Sequence, residues 1–148
     1  MPLTIKTKPI LLSPVGSFEM LNTAINAGTN AVYLGIKGLN MRDSGAKNFS
    51  LLDLKKIVTI AHGKRVKVYL TVNTIIYEDE IAKVEKILKK AKDEKIDGII
   101  CWDASVISLC KKYNLPIYLS TQASVSNSKA IKEYYNKFKI KNFVLARE

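Results

Sequence analysis

Apolar positions along the chain keep two alternating rhythms, short unbroken runs and stripes recurring every three or four residues. Ile10-Leu11-Leu12 is a short run closed by Ser13-Pro14-Val15-Gly16, which predicts a buried strand ending in a turn. Ser17 is placed to cap a helix whose stripe is Leu21, Ala24 and Ile25, and Gly28 suits the left-handed position after it. Ala31 to Gly35 is the next run, so one βαβ unit is complete by residue 35.

The same alternation repeats to the end. Ser50 and Asp53 make a capping-box-like start, and Leu51, Leu54, Val58 and Ala61 form the stripe of a second helix. Val66 to Val72 reads as strand three. A helix from about Glu78 to Glu94 buries Ile81, Val84, Leu88 and Ala91, with acids at its start and lysines near its end, matching the macrodipole. Gly98 to Cys101 is strand four, and Asp103 caps the next helix. Pro116 to Leu119 is strand five. A helix turning Ile131, Tyr134 and Phe138 inward leads to strand six, Asn142 to Leu145.

Six apolar strands joined by five helices need crossover connections, and hence a parallel sheet covered by helices. The turn Pro14-Val15-Gly16-Ser17 holds one glycine, so neither a dinucleotide fingerprint nor a P-loop is present. An α/β parallel (β/α) barrel is the remaining architecture, and it needs eight strands. Residues 1–148 therefore read as the amino-terminal part of a single barrel domain, truncated after about six strands and incomplete at the carboxyl end. Open sheet edges of this kind invite self-association.

Composition narrows the class. Of 148 residues, 47% are apolar and 25% charged, as in a globular domain with a real core. No apolar run reaches the roughly 18 residues that span a bilayer, and Met1 to Lys8 is too polar for a secretory signal, so a cytoplasmic location is expected. Cys101 and Cys110 fit no metal spacing and read as buried, reduced thiols. With a single histidine, His62, a zinc site is unsupported. The net charge of +11 makes a polyanion such as RNA a fair partner, although the lysines are spread over helix faces.

Chemistry in such a barrel sits at the carboxyl ends of the strands. Those positions hold Ser13 and Gly16, Asn40 and Arg42 in the long loop 36–48, Asn73 and Thr74, Asp103, Ser120 to Gln122, and finally Arg147 and Glu148. This is a rim rich in amides. His62 lies near a helix end, where a dipole contact is its expected role, so no Ser-His-Asp or Cys-His machinery for peptide hydrolysis is visible. Asp103 reads first as a helix cap and second as a general base. Arg42 suits a bidentate grip on a carboxylate or phosphate, with a surface ion pair as the alternative. Tyr33, Tyr69 and Tyr118 read as packing residues within strands. The candidate substrate-binding set is Arg42, Asn73, Asp103, Gln122, Arg147 and Glu148.

An ordered series of segments then carries a resemblance. These are Leu11 to Gly16, Ala27 to Gly35, Asn40-Met41-Arg42 with Asn48-Phe49-Ser50, Val68 to Thr74, Asp103, Ser120-Thr121-Gln122 with Asn127, and Val144 to Glu148. From about residue 10 onward the chain resembles the amino-terminal half of the collagenase-like peptidases, the U-thirty-two peptidase family. The resemblance implies a barrel and, in several members, oxygen-independent hydroxylation of transfer RNA, ribosomal RNA or the ubiquinone ring. Prephenate, a dicarboxylate, is the implied oxygen donor. An iron–sulfur cluster is implied in the full-length parent, held by cysteines beyond Arg147-Glu148, and no cofactor in this chain. The fragment alone is then expected to be inactive. The family's older label is peptidase, and a non-catalytic binding module is the third reading. Two departures are visible: Val15 stands where alanine is usual, and Arg65 where a glycine usually ends the second helix, with Gly63 available instead.

Overall fold

The computed structural model describes residues 8–37 and 49–147. Each apolar run becomes a strand and each stripe a helix. In order these are β1 (Leu12–Pro14), α1 (Phe18–Asn26), β2 (Ala31–Gly35), α2 (Leu54–Gly63), β3 (Lys67–Val72), α3 (Ile81–Asp93), β4 (Gly98–Cys101), α4 (Ala104–Lys112), β5 (Ile117–Leu119), α5 (Ser128–Phe138) and β6 (Asn142–Phe143). Short 3-10 turns at Leu51–Asp53, Glu78–Glu80 and Thr121–Ala123 lead toward α2, α3 and α5.

The six strands form one parallel sheet in sequence order, β1 to β6. Neighbours in space are neighbours in sequence, as in a half-barrel of βα units. Side chains alternate between its two faces. Val32, Leu34, Val68, Leu70, Val72, Ile99, Cys101 and Leu119 join the helix residues Leu21, Leu54, Ile57, Leu88 and Ile107 in the main core. Each fully buried leucine or isoleucine there contributes about 1.5–3 kcal/mol. The opposite, concave face carries Ala31, Tyr69 and Ile100, with Tyr33 and Tyr118 packed against them.

Two strands differ from the sequence expectation in placement. The first run pairs as Leu12–Pro14, two residues later than Ile10–Leu12, and Ile10 and Leu11 are exposed at 63% and 53%. The last pairs only over Asn142–Phe143, leaving Val144 and Leu145 exposed. Both are edge strands, so an apolar run that would be buried in a central strand has a partner on one side only.

Helix ends follow one rule. Residues in the left-handed region close every turn from helix to next strand: Gly28, Arg65, Lys95, Asn114 and Lys139. Gly63 does not stand in for a terminal glycine. It lies inside α2, and Arg65 takes φ +59°. His62 lies in the last turn of α2, as expected, and its Nε2 is also 2.8 Å from Asp97 Oδ2, which accepts the Val68 N–H at 2.8 Å. The side chain thus ties α2 to the start of β4. Glu85 links α3 to α4 by accepting from Lys112 at 2.8 Å and from the Tyr113 hydroxyl. Those two hydrogen bonds hold its carboxyl down at about 2.

Candidate functional site: the carboxyl end of the sheet

The concave face forms a floor beneath the strand ends. Tyr69 and Tyr118 lie with ring centroids 4.5 Å apart, and the Tyr118 hydroxyl donates to that of Tyr69 at 3.2 Å. Burial first, and then the bond from Tyr118, push the Tyr69 phenol well above its ordinary value. It stays protonated at any physiological pH. The tyrosines pack on each other, as expected of strand residues on a crowded face.

Above the floor, hydrogen bonds stitch the strand ends into a continuous rim. Trp102 Nε1, just past β4, donates to the Asn73 carbonyl just past β3 at 3.0 Å. The Ser120 N–H, past β5, donates to the Cys101 carbonyl at 2.8 Å. The Ala146 N–H, past β6, donates to the Val125 carbonyl at 2.9 Å. Three of the six candidate residues, Asn73, Asp103 and Gln122, therefore share one rim, and Arg147 follows Ala146 as an exposed side chain at its β6 end. Arg42 and Glu148 lie outside the described residues, as does Asn40.

Asp103 is a cap. Its Oδ1 accepts the Ser105 N–H at 2.8 Å and the Ser105 hydroxyl at 2.6 Å. Partial burial pushes its carboxyl up, but hydrogen bonds from Ser105, Ile76 and Val106 outweigh this and hold it below the usual carboxylate value. An ionised, fully engaged carboxylate is a poor proton acceptor. Its two bonds to Ser105 make Asp103 a structural cap of α4 at the rim.

Gln122 has its side-chain oxygen folded back, accepting from the buried Ser120 hydroxyl and, at 3.5 Å, from Thr121. Among the described residues its Nε2 makes no hydrogen bond, so the amide presents a donor. Ser13 does not belong to the rim. Its Oγ lies 2.9 Å from the Thr29 hydroxyl, at the amino end of β2.

Two features escaped the sequence reading. Trp102, the only tryptophan, joins two strand ends; a lone tryptophan between a buried run and a helix cap was the available signal. Gly98 makes room for Tyr118, a relationship that needs the cross-strand register to be seen.

An iron–sulfur cluster needs about four cysteine thiolates. Cys101 and Cys110 are both fully buried, and the Cys101 thiol is raised by its hydrogen bond with Cys110 and by burial. That environment favours the protonated thiol, so these two residues do not fit a cluster. Among the described residues no group of three or more His, Cys, Asp or Glu side chains is gathered for a metal ion. No helix among them is long and apolar enough to cross a membrane.

A parallel half-barrel with a polar rim over an apolar floor defines a βα-barrel protein, a class in which the strand carboxyl ends are the usual place for a site. The family model for Peptidase family U32 matches residues 16–148, and the chain belongs to that family. It is 43% identical over 138 residues to a collagenase of Porphyromonas gingivalis, covering 93% of this chain and 33% of that protein. It is 34% identical over 146 residues to tRNA hydroxylation protein P1 of Bacillus subtilis, covering 97% and 34%. The chain thus spans about a third of the length of these relatives. A solved structure described as the U32 peptidase Mk0906 shares the fold, with a TM-score of 0.69 at 14% identity over 92% of this chain and 59% of that one.

Proposed function

We propose that this chain supplies the first part of an oxygen-independent RNA hydroxylation enzyme, acting on transfer or ribosomal RNA with a prephenate-type dicarboxylate as donor. The observation that carries the reading is the likeness to a tRNA hydroxylation protein over 97% of the chain. The rim is compatible with it, because Gln122 presents an amide donor and Arg147 an exposed cation, and Asp103 is committed to a cap. Arg42 and Arg147 are the proposed partners of the donor's carboxylates, since a guanidinium fork matches a carboxylate with two parallel hydrogen bonds. Cluster ligands would come from the rest of a protein of the relatives' length, and the chemistry is expected only there. The setting proposed is cytoplasmic. In the 148-residue chain alone, the exposed edges at β1 and β6 are the places for self-association.

Peptide hydrolysis is the second reading, favoured by the collagenase name of a relative at 43% identity. The test is to incubate the purified full-length protein with unmodified RNA plus prephenate, and separately with denatured collagen, and to analyse both by mass spectrometry. A hydroxylated pyrimidine with intact collagen is the expected result. Cleaved collagen with unchanged RNA would overturn the proposal.

A further inference from the structure

Helices in this fold run opposite to the strands, so helix starts ring the mouth and helix ends ring the opposite, amino-terminal face. Acids sit at the starts: Glu19 in α1, Asp53 before α2, Glu78 to Glu80 before α3 and Asp103 before α4. Lysines sit at the ends, with Lys90 and Lys92 in α3, Lys111 and Lys112 in α4, and Lys137 in α5. Lysines thus recur at the ends of α3, α4 and α5, on the face away from the mouth, while Lys55, Lys56 and Lys129 lie in the first turns of α2 and α5.

On that face an open groove of about 440 Å³ lies between the ends of α4 and α5. Lys111, Lys139 and Lys141 line it together with Asn114 and Asn142, and no carboxylate does. Neighbouring lysines are neutralised, Lys112 by Glu85 at 2.8 Å and Lys137 by Glu133 at 3.2 Å. The three groove lysines have no ion pair among the described residues. Two of them rest on rings, with Lys111 Nζ 5.4 Å from the Phe138 centroid and Lys139 Nζ 5.6 Å from that of Tyr135. The helix dipole accounts for lysine in a last turn, but Lys141 lies beyond α5, at the start of β6. Three cations without an ion pair, in a groove whose remaining lining is neutral, suit the phosphates of a polyanion.

We infer that the groove of Lys111, Lys139 and Lys141 is a docking surface for the phosphate backbone of RNA, separate from the mouth. The inference takes its partner class from the proposed function and adds a binding surface on the opposite end of the sheet. A long RNA held there reaches the rim with a distant nucleotide.

The test measures binding of an unmodified tRNA transcript to the full-length protein across a salt series. Three forms are compared: the parent, the triple variant Lys111→Gln/Lys139→Gln/Lys141→Gln, and a control triple at exposed lysines elsewhere, Lys55→Gln/Lys129→Gln/Lys132→Gln. Thermal melting confirms that each is folded. The groove variant should bind about tenfold or more weakly near 0.1 M salt, with the log–log salt slope smaller by about 2 to 3, while the control keeps the parent's slope. Parent-like binding and slope in the groove variant would overturn the surface and leave the RNA reading standing. Equal losses in both triples would also overturn it, since they report net charge alone. A parent that binds polyglutamate but no RNA would overturn both the surface and the RNA reading.

Discussion

A Cβ placed on Gly98 would lie 2.6 Å from Cε2 of Tyr118. The missing side chain at the start of β4 is what lets the Tyr118 ring cross its own strand neighbour and stack on Tyr69. The Pro116 carbonyl, 3.3 Å from the same point, closes off a backbone escape. Gly98→Ala is expected to cost about 1–3 kcal/mol, as overpacking does. Chemical denaturation of the full-length protein measures it, and Gly98→Ala combined with Tyr118→Leu should recover part of the loss.

The helix ends make an opposite prediction for glycine. Arg65 and Lys95 hold φ of 59° and 60°, a conformation in which a Cβ costs roughly 1 kcal/mol. Arg65→Gly and Lys95→Gly should each raise stability by up to about 1 kcal/mol, read as a higher melting temperature. Gly28→Ala, at φ +84°, should lower it.

Asp103 ties acid stability to the rim. Its carboxyl is lowered in the folded state, so the folded protein binds its proton less readily than the unfolded chain does. The contribution is then complete above the unfolded value of about 3.9 and fades as pH falls through the folded value. Asp103→Ala should cost about 1 kcal/mol at pH 7, and the gap to the parent should close below about pH 4. Urea midpoints across pH report both.

Trp102 gives the mouth its own reporter. As the only tryptophan of these 148 residues, hydrogen-bonded to the Asn73 carbonyl at 3.0 Å, it should supply an emission component that is absent from Trp102→Phe and shifts when prephenate occupies the rim. Trp102→Phe, which loses that bond, should cost about 1 kcal/mol. Unchanged emission at saturating donor would place donor binding elsewhere.

Central elements were legible in the sequence because their signals are local. Ser17 and Asp103 cap helices through their own side chains, and β2, β3 and β4 are continuous apolar runs with neighbours on both sides. The edges were not, because Ile10, Leu11, Val144 and Leu145 have the composition of buried strands and lack a second neighbour. Glycine was read correctly at Gly28, but the turn at Arg65 shows that a left-handed site need not hold one. The rim was legible as a set of strand ends. Its internal wiring was not, since the bonds of Trp102 to Asn73 and of Ser120 to Cys101 join residues 29 and 19 positions apart.

Nucleoside mass spectrometry of total RNA from cells with and without the gene tests the proposed function most directly. Deletion should remove one hydroxylated pyrimidine, the intact gene should restore it, and Arg42→Lys, which keeps charge but loses the guanidinium fork, should restore little of it at unchanged protein level. Identical nucleosides in all strains would contradict the account.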